Sequence, residues 1–485
     1  MTPRAKSCSA LLAVAALLPL WGCGPAEAPA APAPPGIVLV MADDMGWGQT
    51  GYYNHPVLKT PHLDAMAAAG LRFDRFYAGA PNCSPTRATV MTGRTNDRTG
   101  VEDHGYALRR QERTIARALA EAGYATGHFG KWHLNGLRGS GVPVLASDAH
   151  HPGVFGFETW LSVTNFFERD PLMGRNGLFV QCEGDSSEVI VAEALEFIGR
   201  QAALGRPFLA VIWYGTPHSP WIASDADRAE FAALDESSQH HYGELVAMDR
   251  SIGALRAGLR ALGIERDTLV WFTSDNGGLP RIEPGTVGSL RGFKGSLYEG
   301  GIRVPAVIEW PAGIPAPRAT AFPAATMDIF PTVAAAAGLV DGAALRPQDG
   351  IDLGPVFRSD PPRREQPIGF RHTGRSALID NDLKIVASDA ASRKRELFDL
   401  GADPGETSDL SDAMPEELAR LGALLDAWNA SVQASADGGD YPAGDFVKDE
   451  SQPGWWAEQD RYKPYLEEWR GRPELARFIE GAAGR

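Results

Sequence analysis

Two adjacent carboxylates at Asp43-Asp44, a thiol at Cys83 with a guanidinium one turn on at Arg87, and the groups Lys131/His133, His218, Asp275-Asn276 and Lys294 are the residues of this 485-residue chain that could do chemistry together. Asp43, Asp44, Asp275 and the amide oxygen of Asn276 are hard oxygen donors, and oxygen-only ligation favours Ca²⁺ or Mg²⁺ over zinc. The stretch Cys83-Ser84-Pro85-Thr86-Arg87 predicts a helix that starts at the thiol, because proline presets a first turn. Helix N-terminal amides favour an anion, so a lowered thiol pKa is expected. A cation clamp, a strong nucleophile and nearby proton donors are what hydrolysis of an anionic ester needs.

The elements that must position these groups alternate. Residues 37–41 form a continuous apolar, β-branched-rich run, as a strand buried on both faces should. Further strands are predicted at 124–129, 207–214 and 268–273. Helices are predicted at 114–122, with Gly123 as the stop, at 188–201 and at 242–262. Strands alternating with helices imply an α/β fold with a large, doubly wound, mostly parallel sheet. In such sheets ligands bind beyond the carboxyl ends of the strands. Strand 37–41 runs into Asp43-Asp44, 124–129 into Lys131-Trp132-His133, 207–214 into Thr216-Pro217-His218, and 268–273 into Ser274-Asp275-Asn276-Gly277-Gly278. One polar cluster in a loop is ordinary. Four at strand ends, with the Cys83 turn and Lys294, point to one shared site.

A Pro/Arg/Asp-rich stretch near 350–365 separates a catalytic domain, 36–355, from a smaller C-terminal α+β subdomain, 366–432. There, short strands at 376–379 and 383–386 should pair around Asn381-Asp382, followed by a strand at 396–400 and a helix at 415–432. The remaining tail, 433–485, contains Trp455, Trp456, Tyr462, Tyr465 and Trp469. Packing on the body is the expected role of these rings, ahead of stacking on sugars.

The run Cys83-Ser-Pro-Thr-Arg-Ala-Thr-Val-Met-Thr-Gly-Arg94 closely resembles the signature of the type I, formylglycine-dependent sulfatases of the alkaline phosphatase superfamily. Position 86 is usually Ser there and is Thr here. The resemblance extends over roughly residues 36–410. It includes Gly130-Lys131-Trp132-His133, Pro217-His218, the segment from Arg291 to Pro305 around Lys294, and Glu396-Leu-Phe-Asp-Leu400 with Asp403-Pro404-Gly405-Glu406. It implies that Cys83 is oxidised to formylglycine (3-oxoalanine) by a formylglycine-generating enzyme and that its hydrate attacks sulfur. It implies a single divalent cation, usually Ca²⁺ with Mg²⁺ possible, on Asp43, Asp44, Asp275, Asn276 and the modified Cys83. It further implies that Arg87 holds the nucleophile, that Lys131, His218 and Lys294 hold sulfate oxygens, that His218 or Lys294 protonates the leaving oxygen, and that His133 takes a proton from the second hydroxyl. His104 and Asn165 are further candidate substrate contacts, with Arg169 and Arg175 in a loop at 165–177 expected to rim the pocket. Solvated loop polarity is the simpler reading of Asn165, Arg169 and Arg175. His62, His150, His151, His240, His241 and His372 are read as surface or structural.

The chain begins with Arg4 and Lys6 before an apolar run, 10–20, that is too short to span a bilayer and fits a secretory leader, 1–22. Leu20-Trp21-Gly22-Cys23 resembles a lipobox, which implies lipidation of Cys23, followed by a Pro/Ala-rich tether, 23–35. Expected locations are the periplasm, outer membrane or cell surface, with a lipid anchor. Of four cysteines, only Cys83 and Cys182 then remain in the body. A bridge between them would destroy the proposed nucleophile, so Cys182 is read as a free thiol. The formal charge is -15, and removal of Arg4 and Lys6 would lower it by two. That balance argues against a nucleic-acid partner. The expected substrate is a sulfate ester, first of all a sulfated carbohydrate. Two alternatives are a phosphonate or phosphate ester hydrolase of the same superfamily and a non-catalytic lipoprotein that binds sulfated glycans.

Overall fold

The computed structural model describes residues 34–339, 343–387, 394–442, 444–447 and 450–483. The predicted leader, Cys23 and most of the tether lie outside them. Strand β1 (Gly36–Ala42) is buried along its whole length. It pairs in parallel with β7 (Phe208–Trp213) on one side and β8 (Thr268–Ser274) on the other. The other strands are β2 (Leu71–Tyr77), β3 (Ala125–Lys131), β4 (Thr159–Val163), β5 (Leu172–Arg175), β6 (Leu178–Gln181), β9 (Arg303–Glu309), β10 (Arg318–Thr320) and β11 (Ala324–Ala325). Their order is β10-β2-β9-β8-β1-β7-β3-β4-β5-β6, with β11 beside β2. The centre, β8-β1-β7-β3-β4, is parallel. Strand β9 runs antiparallel to both β8 and β2.

Alternate side chains of the central strands enter opposite cores. Ile37, Leu39, Met41, Val211, Trp213 and Trp271 face one side. Helices α2 (Cys83–Thr92), α3 (Ile115–Glu121) and α6 (Ile329–Ala336) cover it through Val90, Met91, Ile115, Leu119, Ile329 and Phe330. Val38, Val40, Ile212, Val270 and Phe272 face the other. There α1 (Pro61–Ala69), α4 (Ser186–Ala203) and α5 (Glu236–Ala261) supply Leu63, Met66, Ile190, Phe197, Leu245 and Leu255. Burial of each such side chain is worth about 1.5–3 kcal/mol. The doubly wound, mostly parallel α/β architecture expected from the sequence is therefore present.

Three boundaries differ from expectation. Helix α5 starts at Glu236, not at 242, because Asp235 caps it by accepting from the Ser238 amide at 3.1 Å. The polar run Glu236-Ser-Ser-Gln-His-His241 hides that first turn from any apolar periodicity. Strand β3 runs to Lys131 instead of stopping at 129, so Lys131 projects from the strand itself. The expected loop at 165–177 contains β5, which pairs with β4 and β6.

A second, antiparallel sheet has the order β12 (Ile368–His372), β13 (Arg375–Asp380), β14 (Leu383–Ala387), β15 (Glu396–Asp399). Asn381 takes a left-handed φ of 57° in the turn between β13 and β14. Helix α7 (Pro415–Ala436) covers one face with Leu421 and Leu425. The other face packs Ile368, Phe370, Ile379 and Phe398 on Tyr77, Ile302 and Met327 of the main body. Farther on, Trp456, Tyr462, Trp469 and Ile479 of the tail bury Leu137, Val142 and Leu145. Among the described residues, no helix is long and apolar enough to cross a membrane.

Candidate active site

The carboxyl ends of β1 and β8 are laced together. The Asp275 amide donates to the Ala42 carbonyl at 3.1 Å, and the Asp44 amide donates to Asp275 Oδ1 at 3.1 Å. The Met45 amide donates to Ser274 Oγ at 3.0 Å. Asp44 accepts a left-handed φ of 71° to turn its carboxylate toward the neighbouring strand end. Beyond Asn276 the chain passes so close to the following loop that a Cβ on Gly277 would lie 1.9 Å from the Gly300 carbonyl. The Lys294 amide donates to the Gly278 carbonyl at 3.0 Å, which ties the lysine loop to the same strand end.

Cys83 is the first residue of α2 and is fully buried. Asn82 caps the helix: its Oδ1 accepts from the Cys83 amide at 2.9 Å, and its Nδ2 donates to Asp103 Oδ1 at 2.9 Å. Thr86, the departure from the usual Ser, donates its hydroxyl to the Ala80 carbonyl at 2.8 Å, a role a serine would also fill. The thiol lies 3.5 Å from Asp43 Oδ1, 3.9 Å from Asp44 Oδ1 and 3.4 Å from Lys294 Nζ. The expected lowering of its pKa is overturned. Burial pushes the thiol up, and the Asp275 and Asp43 carboxylates add to that push, against Lys131 and Lys294. Desolvation outweighs the helix terminus, whose effect is at most about 2 kcal/mol.

Around the thiol, positive and negative groups alternate. Lys131 Nζ donates to Asp43 Oδ2 at 2.6 Å, and Lys294 Nζ approaches Asp44 Oδ1 at 2.6 Å. Arg87 Nη2 lies 2.7 Å from Asp275 Oδ2 and 3.7 Å from Asp43 Oδ1, while its plane sits 5.1 Å over the Trp213 ring. Burial disfavours the Asp44 charge, yet Lys294, His218 and Asn276 outweigh it and hold that carboxyl well below the usual range. Asp275 moves the other way, up to about 6, through burial and the adjacent Asp43. His218 Nε2 is 3.8 Å from Asp44 Oδ2, and its ring stacks on Phe166 at 4.8 Å. Burial and Lys294 push its pKa down to about 3.

The donor chemistry fits a hard divalent cation. Asp43, Asp44 and Asp275 converge with Asn276, whose Nδ2 donates to Asp44 Oδ1 at 2.8 Å. The Asn276 Oδ1 is buried and has no hydrogen-bond partner. A cation held by three carboxylates and that oxygen would satisfy the orphaned acceptor and relieve the crowding of like charges.

Within 4.8 Å of the thiol stands His133, with a φ of 53°, 1% exposure and both ring nitrogens unpartnered. The His104 ring meets it edge-on at 4.6 Å. Neither this histidine pair nor the Asn82–Asp103 contact was legible beforehand, since the segment before His104 has no periodicity to place it. Asn165 is buried but donates to the Gly139 carbonyl at 2.7 Å, and Arg175 pairs with Glu193 at 2.6 Å on the surface. Arg169 lies beside Ser140, Gly141 and Glu474. The histidines read as structural have local partners where a bond is formed: Gln49 for His241, Ala223 for His240, Gly153 for His151. Cys83 and Cys182 are both free thiols.

Residues 35–339 match the family model described as Sulfatase. The chain belongs to the sulfatase family. This sulfatase-family chain is 35% identical over 360 residues to N-acetylgalactosamine-6-sulfatase of Canis lupus familiaris, covering 67% of this chain and 66% of that protein. It thus spans just under two thirds of that relative. It is 32% identical over 531 residues to steryl-sulfatase of Mus musculus, covering 84% and 83% of the two chains. Among solved structures, Ps i-CgsB in complex with k-i-k-neocarrahexaose superposes with a TM-score of 0.74 at 25% identity, covering 91% of this chain and 98% of that one.

Proposed function

We propose that this protein is a sulfuric ester hydrolase that releases inorganic sulfate from a sulfated carbohydrate. The observation that carries the reading is the Cys83 side chain, buried at a helix start between the Asp43/Asp44 carboxylates and Lys294 Nζ, all within 3.9 Å. Converted to formylglycine, position 83 would supply a geminal diol as nucleophile. A Ca²⁺ or Mg²⁺ ion on Asp43, Asp44, Asp275 and Asn276 would supply two positive charges and polarise oxygens.

The charge balance of the site suits a monoanionic ester. Three carboxylates are balanced by Arg87, Lys131 and Lys294. A divalent cation would leave two positive charges, and a sulfate monoester plus one ionised hydroxyl would return the site to neutrality. Lys131 on Asp43, Lys294 on Asp44 and His218, 3.8 Å from Asp44 Oδ2, are the residues to grip sulfate oxygens. The neighbouring carboxylates hold the Lys294 proton firmly. His218 is neutral in the free enzyme, so Lys294 is the group that enters the reaction charged and can assist the leaving oxygen. His133, kept neutral by burial and Lys131, is in the form that accepts a proton from a hydroxyl at position 83. Arg87 fixes Asp275 and Asp43 around the nucleophile.

The name of the canine relative and the hexaose bound by Ps i-CgsB support a carbohydrate substrate. The leader-like start and Leu20-Trp21-Gly22-Cys23 support export, with a lipid anchor at Cys23. Maturation would then need a formylglycine-generating enzyme as a partner. The test is the mass of the Cys83 peptide from a host with that enzyme, together with sulfate release from a chromogenic aryl sulfate. Conversion with activity, and a folded but inactive Cys83→Ala variant, are expected. An unmodified thiol in a competent host, or substantial sulfate release by Cys83→Ala, refutes the reading.

A further inference from the structure

The thiol faces two different ligand sets. One is Asp43, Asp44 and His218; the other is His104 and His133. In each group the ligand atoms lie within 4.8 Å of one another. The first set is already committed: Asp43 to Lys131 at 2.6 Å, Asp44 to Lys294 at 2.6 Å, and His218 Nδ1 to the Ser219 carbonyl at 2.5 Å. The second is not. His133 is 1% exposed, neither of its nitrogens has a partner, and its ring abuts His104.

We propose that the unconverted chain contains a second, thiophilic metal site, in which Cys83 Sγ, His104 and His133 bind Zn²⁺ with a fourth position open. One sulfur and two imidazoles are a borderline-soft set, matched to zinc and poorly matched to Ca²⁺. Zn–S near 2.3 Å and Zn–N near 2.1 Å require ligand atoms roughly 3.6 Å apart in a tetrahedron. The 4.8 Å limit therefore leaves at most about 1 Å to close, and half-buried His104, rather than fully buried Cys83 or His133, is the ligand that would move. Binding is a displacement: the thiol proton leaves to solvent as the Zn–S bond forms, with no oxidation. Ligation takes the neutral imidazole of each histidine. Conversion of Cys83 removes the only sulfur, so one side-chain modification would switch the pocket from a thiophilic to an oxygen-seeking metal preference.

The inference rests on the encoded thiol and stands or falls independently of the hydrolase reading. Full-length protein from a host without a converting enzyme, its thiol verified by mass, is titrated with Co²⁺ as a spectroscopic substitute for zinc and then with Zn²⁺ against a chromophoric chelator. One equivalent of Co²⁺ with a thiolate-to-cobalt charge-transfer band is expected. Cys83→Ser should abolish the band. His104→Ala should weaken Zn²⁺ binding by more than the roughly 10–100-fold that loss of an outer-shell partner causes. His104→Gln, with matched circular dichroism, guards against a folding defect. Absence of the band in the unconverted protein overturns the proposal. So does a band that survives His104→Ala but is lost in His218→Ala, which would put the metal on the carboxylate side. A band that persists in fully converted protein would assign it to another cysteine and overturn the proposal equally.

Discussion

Lys384 is the residue whose removal should be felt furthest away. Its ammonium is fully buried on β14, 3.0 Å from Glu299 Oε1 and 2.8 Å from Glu406 Oε1. Glu406 Oε2 in turn accepts from the Glu299 amide at 2.6 Å, and Tyr77 donates its hydroxyl to Glu299 at 3.1 Å. Glu299 lies five positions after Lys294, and the Gly301 carbonyl accepts from the Gly277 amide at 2.9 Å, next to the Asp275-Asn276 pair. The small sheet therefore buttresses the loop that presents Lys294. Lys384→Met keeps the length of the side chain and removes its charge. Two carboxylates would then face each other with Arg303, 3.5 Å from Glu299, as the nearer remaining cation. At an effective dielectric of 20, each contact near 3 Å is worth about 5 kcal/mol before desolvation is subtracted. Breaking a buried pair from one side typically costs about 3–5 kcal/mol. The urea midpoint at unchanged m, read beside the initial rate of sulfate release, measures the effect. Adding Glu406→Gln should restore a substantial part of the lost stability, because it removes the repulsion the first change exposed. A single variant that loses under about 1 kcal/mol, or a double variant less stable than the single, would show that this triad is not holding the loop.

Chelation of the purified protein should lower both activity and thermal midpoint, with recovery on added Ca²⁺, because an ion that binds only the folded chain stabilises it by mass action; midpoints and rates indifferent to chelator would remove the cation from the scheme. His241, fully buried against Gln49 Nε2 at 2.6 Å, has its pKa pushed down to about 3 by burial. A folded pKa below the unfolded value of ~6.5 means that the unfolded chain binds the extra proton. Its stabilisation is therefore complete above about pH 6.5 and declines as pH falls toward 3, and His241→Gln should flatten that part of the stability profile. Truncation after Ser451 removes Trp456, Tyr462 and Trp469 and uncovers Leu137, Val142 and Leu145. Loss of soluble protein, or dye binding typical of exposed apolar surface, is expected from it, and a soluble, dye-silent product would contradict the packing.

The parallel sheet and the convergence of Asp43, Lys131, His218 and Asp275 were legible because strand burial and strand-end chemistry are both local in sequence. Cys83 was legible as a helix start because Pro85 and the residues around it are contiguous. Its raised pKa was not, since that depends on burial under segments some 190 residues downstream. Strands β2 and β9 escaped because charged residues such as Arg72, Asp74 and Arg303 interrupt their apolar pattern while bonding laterally within the fold. The Lys384 triad and the His104–His133 contact join distant segments, and no spacing rule links them.

Helix α2 is buried along its whole length, yet the groups that enclose Cys83 are encoded late: Asp275 and Lys294 lie 192 and 211 positions after it. At about 5–20 residues per second, a ribosome needs roughly 10–40 s to travel from the cysteine codon to Asp275. Throughout that interval the polypeptide cannot seal the pocket, whatever its local preferences. Connectivity thus acts as a timer, leaving the thiol accessible while the chain is being made and closing over it once the remaining strands arrive.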